Sequence, residues 1–520
     1  MASFSAAVAN FSSISPTQLS LYHRHRLFQS QCRPFFLSRS SHFLLKDLTL
    51  PRGRKTTDTV ICASFTDVTS NVSLEEKLPP KGETWSVHKF GGTCVGTSQR
   101  IKNVAEIILK DDSERKLVIV SAMSKVTDMM YALIQKAQSR DESYISSLDA
   151  VLEKHSATAH DILEGDSLAS FLSKLHNDIS NLKAMLRAIY IVVSMDIDKK
   201  VLNIITATMT ILALSHLVKL VKESYDDIRS GHATESFTDF VVGHGELWSA
   251  QMLSLVIRKK GIDCKWMDTR DVIIVNPSGS NQVDPDYLES EQRLEKWYSL
   301  NPCKVIIATG FIASTPQNIP TTLKRDGSDF SAAIMGALFR ARQVTIWTDV
   351  DGVYSADPRK VSEAVILKTL SYQEAWEMSY FGANVLHPRT IIPVMRYGIP
   401  IMIRNIFNLS APGTKICHPS VNDNEDGQNL QNYVKGFATI DNLALVNVEG
   451  TGMAGVPGTA SAIFGAVKDV GANVIMISQA SSEHSVCFAV PEKEVKAVAE
   501  ALQSRFRQAL DNGRLSQILK

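Results

Sequence analysis

Residues 85–109 constrain this chain more than any other stretch. Trp85-Ser86-Val87-His88 reads as a short strand. It runs into Lys89-Phe90-Gly91-Gly92-Thr93-Cys94-Val95-Gly96-Thr97-Ser98, and an amphipathic stretch from Ile101 to Leu109 follows. Strand, glycine-rich loop and helix, in that order, aim backbone N–H groups and a helix N-terminus at an anion. A Walker A loop is excluded, because Thr97-Ser98 follows Gly96 where Lys-Ser/Thr is required. Here the lysine comes first, as Lys89, and a strand-end lysine beside Gly91-Gly92 can neutralise phosphate oxygens during transfer. Taken alone, a Gly-Gly turn is structural more often than functional.

Other short apolar runs also end in loops that carry chemistry. Leu117-Val118-Ile119-Val120 leads into Ser121-Ala122-Met123-Ser124-Lys125-Val126-Thr127, where Ser121 and Thr127 are either substrate contacts or helix caps. Phe240-Val241-Val242 reads as a strand before a Gly243-His244-Gly245 turn. Glu246 after that turn either recognises a substrate amine or simply favours a helix N-terminus. Val305 to Phe311 reads as a buried strand, and the loop beyond it holds Arg325, suited to forking a carboxylate, and Asp329, suited to ordering Lys89 or a metal. Val344 to Thr348 ends in an acidic loop with Asp349, Tyr354 and Arg359, which is a nucleotide clamp or an ordinary surface turn.

The order of these motifs closely resembles aspartate kinase, of the amino-acid kinase family, over most of residues 84–409. It is most similar to the kinase half of plant bifunctional aspartate kinase/homoserine dehydrogenases, including the run Phe381-Gly382-Ala383-Asn384-Val385-Leu386-His387-Pro388-Arg389. The resemblance implies an α/β chain: a three-layer αβα amino-acid kinase fold with a mainly parallel sheet, followed by a small α+β ACT regulatory domain. It implies ATP-dependent phosphorylation of L-aspartate, the first step towards lysine, threonine and methionine, with Mg²⁺ bridging phosphate oxygens and no metal held by the protein alone. Lys89 and Asp329 would be catalytic, and Ser121, Thr127, Glu246 and Arg325 would lie at the aspartate site. Lys89, Gly91, Gly92, Thr348, Asp349, Tyr354 and Arg359 would hold ATP. Many members have a lysine where this chain has Asn384. The resemblance further implies a homo-oligomer and an amino-acid effector, threonine in the bifunctional type or lysine in the monofunctional type.

The 520 residues suffice for about three domains. With 44% hydrophobic and 21% charged residues and a net charge of +1, the chain is neither disordered nor a nucleic-acid binder held by phosphate neutralisation. Seven cysteines without a CxxC pair predict reduced thiols and no structural zinc. No acidic residue precedes Asp47, while the leader holds ten serines before that point, together with Arg24, Arg26, Arg33, Arg39 and Lys46. That composition predicts a transit peptide over 1–62, hence the plastid stroma, and a linker over 63–83.

Residues 192–229 have no counterpart in the family pattern. They carry an uncharged run at 201–218 whose Asn203, His216 and hydroxyl residues argue for an inserted helix and against a membrane span. Residues 410–433 read as a linker. Beyond it, Gly450-Thr451-Gly452-Met453-Ala454-Gly455 tempts a dinucleotide reading. Gln479 stands where that site needs an acidic residue, however, and a strand follows where a crossover helix is required, so 434–520 read as an ACT domain with Gln479 an effector contact. With the sequence ending at Lys520, a second ACT module is expected to be largely missing and homoserine dehydrogenase activity is not expected. The alternative to an active kinase is a catalytically impaired chain that only associates with full-length subunits.

Overall fold

The computed structural model describes residues 79–82, 84–192, 235–277, 283–381, 386–419, 434–453, 455–479 and 484–519. All of them fall within 71–520, one of two compact units of the chain. The leader, most of the first linker, Asn384 and the atypical segment beyond residue 192 lie outside the described residues.

β1 (Trp85–Phe90) is buried along its whole length and passes through the glycine-rich loop into α1 (Ser98–Lys110). Thr97 caps α1 by accepting from the Arg100 N–H, and Ile101, Val104, Ala105 and Ile108 recur at helical spacing on its buried face. β2 (Arg115–Val120), α2 (Val126–Gln138), α3 (Tyr144–Ile162) and α4 (Gly165–Val192) follow. The chain resumes with α5 (Glu235–Val242), α6 (His244–Lys259) and β3 (Cys264–Met267). Next come the ribbon of β4 (Val275–Pro277) and β5 (Val283–Pro285), then α7 (Tyr287–Leu300) and β6 (Val305–Thr309). The hairpin of β7 (Ile312–Ser314) and β8 (Pro320–Thr322) precedes α8 (Gly327–Phe339) and β9 (Gln343–Thr348). β10 (Thr369–Ser371), α9 (Tyr372–Tyr380), α10 (Pro388–Met395), β11 (Ile401–Asn405) and β12 (Thr414–Cys417) complete the first domain.

Its main sheet runs β10-β12-β11-β9-β1-β2-β6-β3, with neighbours parallel except β11 and β12. One face packs on α1 to α6 through residues such as Ile101, Met130, Leu182, Val242 and Leu253, the other on α7 to α10 through Leu294, Ile334, Tyr372 and Val394. This is the expected three-layer arrangement, with β1 at its middle and the loops after β1, β2 and β9 beside one another.

Three local readings are corrected. Phe240-Val241-Val242 is the end of helix α5 and not a strand, because Val241 and Val242 pack into the helical layer. Gly245 lies in helix α6 and not in a turn; a Cβ there would stand 2.7 Å from the Ala122 Cβ, so glycine permits close packing rather than a bend. The stretch 410–433 is not linker throughout, since Thr414–Cys417 forms β12 inside the main sheet.

The C-terminal module contains β13 (Leu443–Glu449), α11 (Thr459–Asp469), β14 (Met476–Gln479), β15 (Ser485–Pro491), α12 (Val495–Arg505), α13 (Arg507–Asp511) and β16 (Gln517–Leu519). Its sheet, β14-β15-β13-β16, is antiparallel throughout, which excludes the dinucleotide reading of the glycine run before α11. Val446, Val448, Phe488, Ile463 and Leu502 form its core, while Leu445 and Met476 remain exposed on the other face. The approach to β13 is fastened to the first domain. The Phe437 N–H donates to the Ser355 carbonyl at 2.7 Å, Lys360 Nζ reaches both Asp441 oxygens at 2.7 Å, and Lys435 pairs with Glu374 at 2.8 Å.

Among the described residues no helix is long and apolar enough to cross a membrane; the 201–218 run lies outside them. Among the described residues, Cys94, Cys264, Cys303, Cys417 and Cys487 form no disulfide.

Beneath α6, His155 is fully buried, with Nδ1 on the Val151 carbonyl at 2.8 Å and its ring edge-on to Trp248 at 4.8 Å. Burial lowers its pKa from 6.5 to about 4. Between those values the unfolded chain binds the extra proton, so stability falls as pH drops through that window. Replacing His155 with Leu is expected to flatten the acid-side decline in melting temperature, which a thermal scan from about pH 7 to about pH 4 measures.

Candidate functional site

Lys89 occupies the carboxyl end of the central strand, where its neighbours on both sides are parallel strands and its aliphatic stem is buried. A cation in that position needs a partner. Asp329, in the first turn of α8, supplies it with Oδ1 2.6 Å from Nζ; both side chains are about nine-tenths buried. The ammonium lies over the glycine pair, 3.4 Å from where a Cβ on Gly91 would stand. A Cβ on Gly92 would come within 2.8 Å of the Ala122 carbonyl oxygen, so the loop can hug the β2 end only with glycine there. The result is a bare backbone cradle beneath one ammonium, shaped for phosphate oxygens.

Beside the cradle opens a cleft of about 480 Å³ lined by Gly92, Ser121, Thr127, Glu246, Arg325 and Ser328, among others. The four residues expected at the aspartate site therefore meet in one place. Ser121 donates to Ser328 Oγ at 2.9 Å. Neither Ser121 nor Thr127 caps α2, whose N-cap position is Lys125 without a side-chain bond. Glu246 is 3% exposed, and its Oε2 has no hydrogen-bond partner among the described residues. Burial raises its pKa to about 8 against the pull of the Glu246 and Ala122 N–H groups. A buried carboxyl with a free oxygen facing a polar cleft is a receptor for a cation. Arg325 is the opposite case, 79% exposed with only a 3.5 Å contact to Asp326, so its guanidinium fork is open to an anion.

The residues expected to hold nucleotide lie around the β9 end and the loop after it. Thr348 Oγ1 donates to Asp349 Oδ1 at 3.3 Å, and Asp349 is exposed. Tyr354 is half-buried and pairs its backbone with Ile366. Arg359 is exposed, and its fork is closed on Asp357 at 3.0 and 2.9 Å. Gln479 ends the edge strand of the C-terminal sheet, exposed and apart from this cluster in the fold. Among the described residues no group of three or more His, Cys, Asp or Glu side chains is placed to hold a metal.

Sequence reasoning missed three participants. Ser328 pairs with Ser121, Tyr131 lines the cleft, and Lys324 lies between Glu235 at 2.6 Å and Asp239 at 2.9 Å. The available signal was Asp239 itself, a lone acid inside the apolar run Phe237 to Val242.

The sequence pattern of the amino acid kinase family matches residues 84–405, and that of the ACT domain matches 446–506. A chloroplastic bifunctional aspartokinase/homoserine dehydrogenase of Daucus carota is 71% identical over 473 residues, covering 90% of this chain and 47% of its own length. A second from Arabidopsis thaliana is 71% identical over 486 residues, covering 91% and 49%. The chain thus spans about half the length of these curated relatives. Lysine-sensitive aspartokinase 3 of Escherichia coli is 29% identical over 65% of each chain. The crystal structure of E. coli aspartokinase III with lysine and aspartate superposes with a TM-score of 0.57 at 25% identity, over 84% of this chain and 85% of that one.

Glu246 gives a pH test of the cleft. Between 4.5, its ordinary value, and about 8 the folded protein holds a proton that the unfolded chain has lost, so stability of the ligand-free protein falls as pH rises through this window. Glu246→Gln should remove that slope, read as melting temperature at about pH 5 against about pH 8. An unchanged slope would place the carboxyl elsewhere than in a dry wall of the cleft.

Proposed function

Because the chain belongs to the amino acid kinase family, we propose that it transfers the γ-phosphoryl group of ATP to the side-chain carboxylate of L-aspartate in the plastid, as a step of amino-acid biosynthesis. The observation that carries this reading is the cleft itself: a buried carboxyl, Glu246, and an open guanidinium, Arg325, beside a glycine cradle under Lys89. An amino acid with two carboxylates and one ammonium satisfies that set. The substrate ammonium meets Glu246 and restores its charge, so binding releases a proton from that carboxyl. Arg325 forks one carboxylate, while Ser121 and Thr127 line the wall along which the other reaches the cradle. The plant relatives carry aspartokinase in their names, and the superposed E. coli enzyme holds aspartate, which supports this choice of acceptor.

In the transfer, a carboxylate oxygen of aspartate forms the new P–O bond as the bond from the γ-phosphorus to the β-bridging oxygen breaks. Acyl phosphate and ADP result. Little covalent chemistry falls to the protein. Its contribution is alignment and charge stabilisation by Lys89, which Asp329 fixes over the Gly91-Gly92 backbone. Thr348, Asp349 and Tyr354 form the nucleotide side, and Arg359 joins them once its fork opens from Asp357. The donor set suits Mg²⁺ arriving on the nucleotide, since isolated carboxylates such as Asp349 fit an ion that keeps its waters and phosphate ligands. Bound there, the ion would neutralise phosphate charge. The C-terminal module, with Gln479 at its sheet edge, is the site of an amino-acid effector in this reading.

The purified chain should form ADP only when both aspartate and Mg²⁺ are supplied. Lys89→Ala should lower kcat at least about a hundredfold, the usual cost of losing a preorganised charge donor. Asp329→Asn should lower kcat with a smaller change in either KM. Equal turnover in the Lys89→Ala protein would sink the kinase reading, and faster turnover with glutamate would move the acceptor to a longer acid.

A further inference from the structure

One buried carboxylate stands outside every role assigned so far. Asp239, on α5, is 5% exposed and accepts four hydrogen bonds from one short segment. These come from Thr321 Oγ1 at 3.0 Å, the Thr322 N–H at 3.1 Å, Thr322 Oγ1 at 3.0 Å and Lys324 Nζ at 2.9 Å. Glu235, one turn earlier on the helix, takes the same ammonium at 2.6 Å. Burial lowers the pKa of Lys324, but the bond to Glu235 and the charge of Asp239 outweigh it and raise it overall. With two carboxylates on it, Lys324 is spoken for and offers no second grip to a substrate anion.

The segment held in this way is strained. Lys324 and Asp326 have φ of +62° and +53°, left-handed backbone at non-glycine residues on either side of Arg325. Such conformations persist only where their surroundings over-determine them. Asp239 does so on one side; on the other, the start of α8 does, with the Gly327 N–H on the Lys324 carbonyl at 3.0 Å. The Arg325 side chain contributes nothing to this, because its single ion contact is the 3.5 Å approach to Asp326. Its place at the mouth of the cleft is inherited from the backbone.

We infer that Asp239 is a positioning residue for substrate binding: by fastening Thr321, Thr322 and Lys324 to α5, it holds Arg325 where the substrate carboxylate must dock. This rests on the reading of Arg325 as the carboxylate grip. The bonds to Asp239 come from Thr321, Thr322 and Lys324 and none from Lys89 or Asp329, which pair with each other, so the effect falls on the KM for aspartate and not on kcat.

Asp239→Asn keeps the shape and removes the charge. It is expected to raise the aspartate KM about tenfold, the weight of a hydrogen-bonded charge, with kcat and the ATP KM within about threefold of the parent. Combined with Arg325→Ala, it should add nothing to the aspartate KM of Arg325→Ala alone, since the two act in series. Thr321→Val, which removes one of the four bonds, should move the aspartate KM the same way by about threefold, and it carries the test if Asp239→Asn folds poorly. Equal losses for ATP and aspartate, or additive effects in the double variant, would make Asp239 a merely structural residue and overturn the inference. A raised KM in Arg325→Ala with none in Asp239→Asn or Thr321→Val overturns the inference and leaves the grip standing. An unchanged KM in Arg325→Ala overturns both.

Discussion

A charged ammonium at the end of the central strand is the fact around which the first domain is arranged. Lys89 is flanked by β2 and β9 and cannot reach bulk water along the sheet, so its charge must be met from the layer above. Asp329 meets it from the first turn of α8, which fixes where that helix starts. Once that start is fixed, the chain between the β7–β8 hairpin and α8 has few residues in which to turn. In that short link Lys324 and Asp326 take left-handed backbone.

The same logic separates two buried carboxyls, Asp329 and Glu246. Asp329 lies against the Lys89 ammonium, while Glu246, in the first turn of α6, is buried beside backbone N–H groups with its Oε2 unpartnered among the described residues. One is committed before any ligand arrives. The other is costly when charged, a cost that a cation in the cleft would relieve.

Much of this was legible from residue order. The short β-branched runs ending in Lys89, Ser121 and Thr348 gave the strands their ends, and the chemistry lies at those ends because parallel strands leave their carboxyl termini together. The reading failed where local pattern and tertiary packing diverge. Phe240-Val241-Val242 has the composition of a strand, yet it ends a helix, with Val241 and Val242 packed into the helical layer. Thr414–Cys417 looked like polar linker, since an antiparallel edge-side strand needs no long apolar run. The role of Lys324 was invisible because both of its partners are far away in sequence.

The fastening of residues 435–441 to the first domain bears on how the two domains can move. The hairpin that carries Tyr354 and Arg359 closes through Ser355 and Val365, and the same Ser355 carbonyl receives the Phe437 N–H. Lys360, next to Arg359, is moored to Asp441 two residues before β13 begins. The junction is therefore tied to the hairpin of Tyr354 and Arg359 and is not a free swivel. Any tilt of the C-terminal sheet must either drag the arginine-bearing tip with it or first cast off a backbone bond and an ion pair.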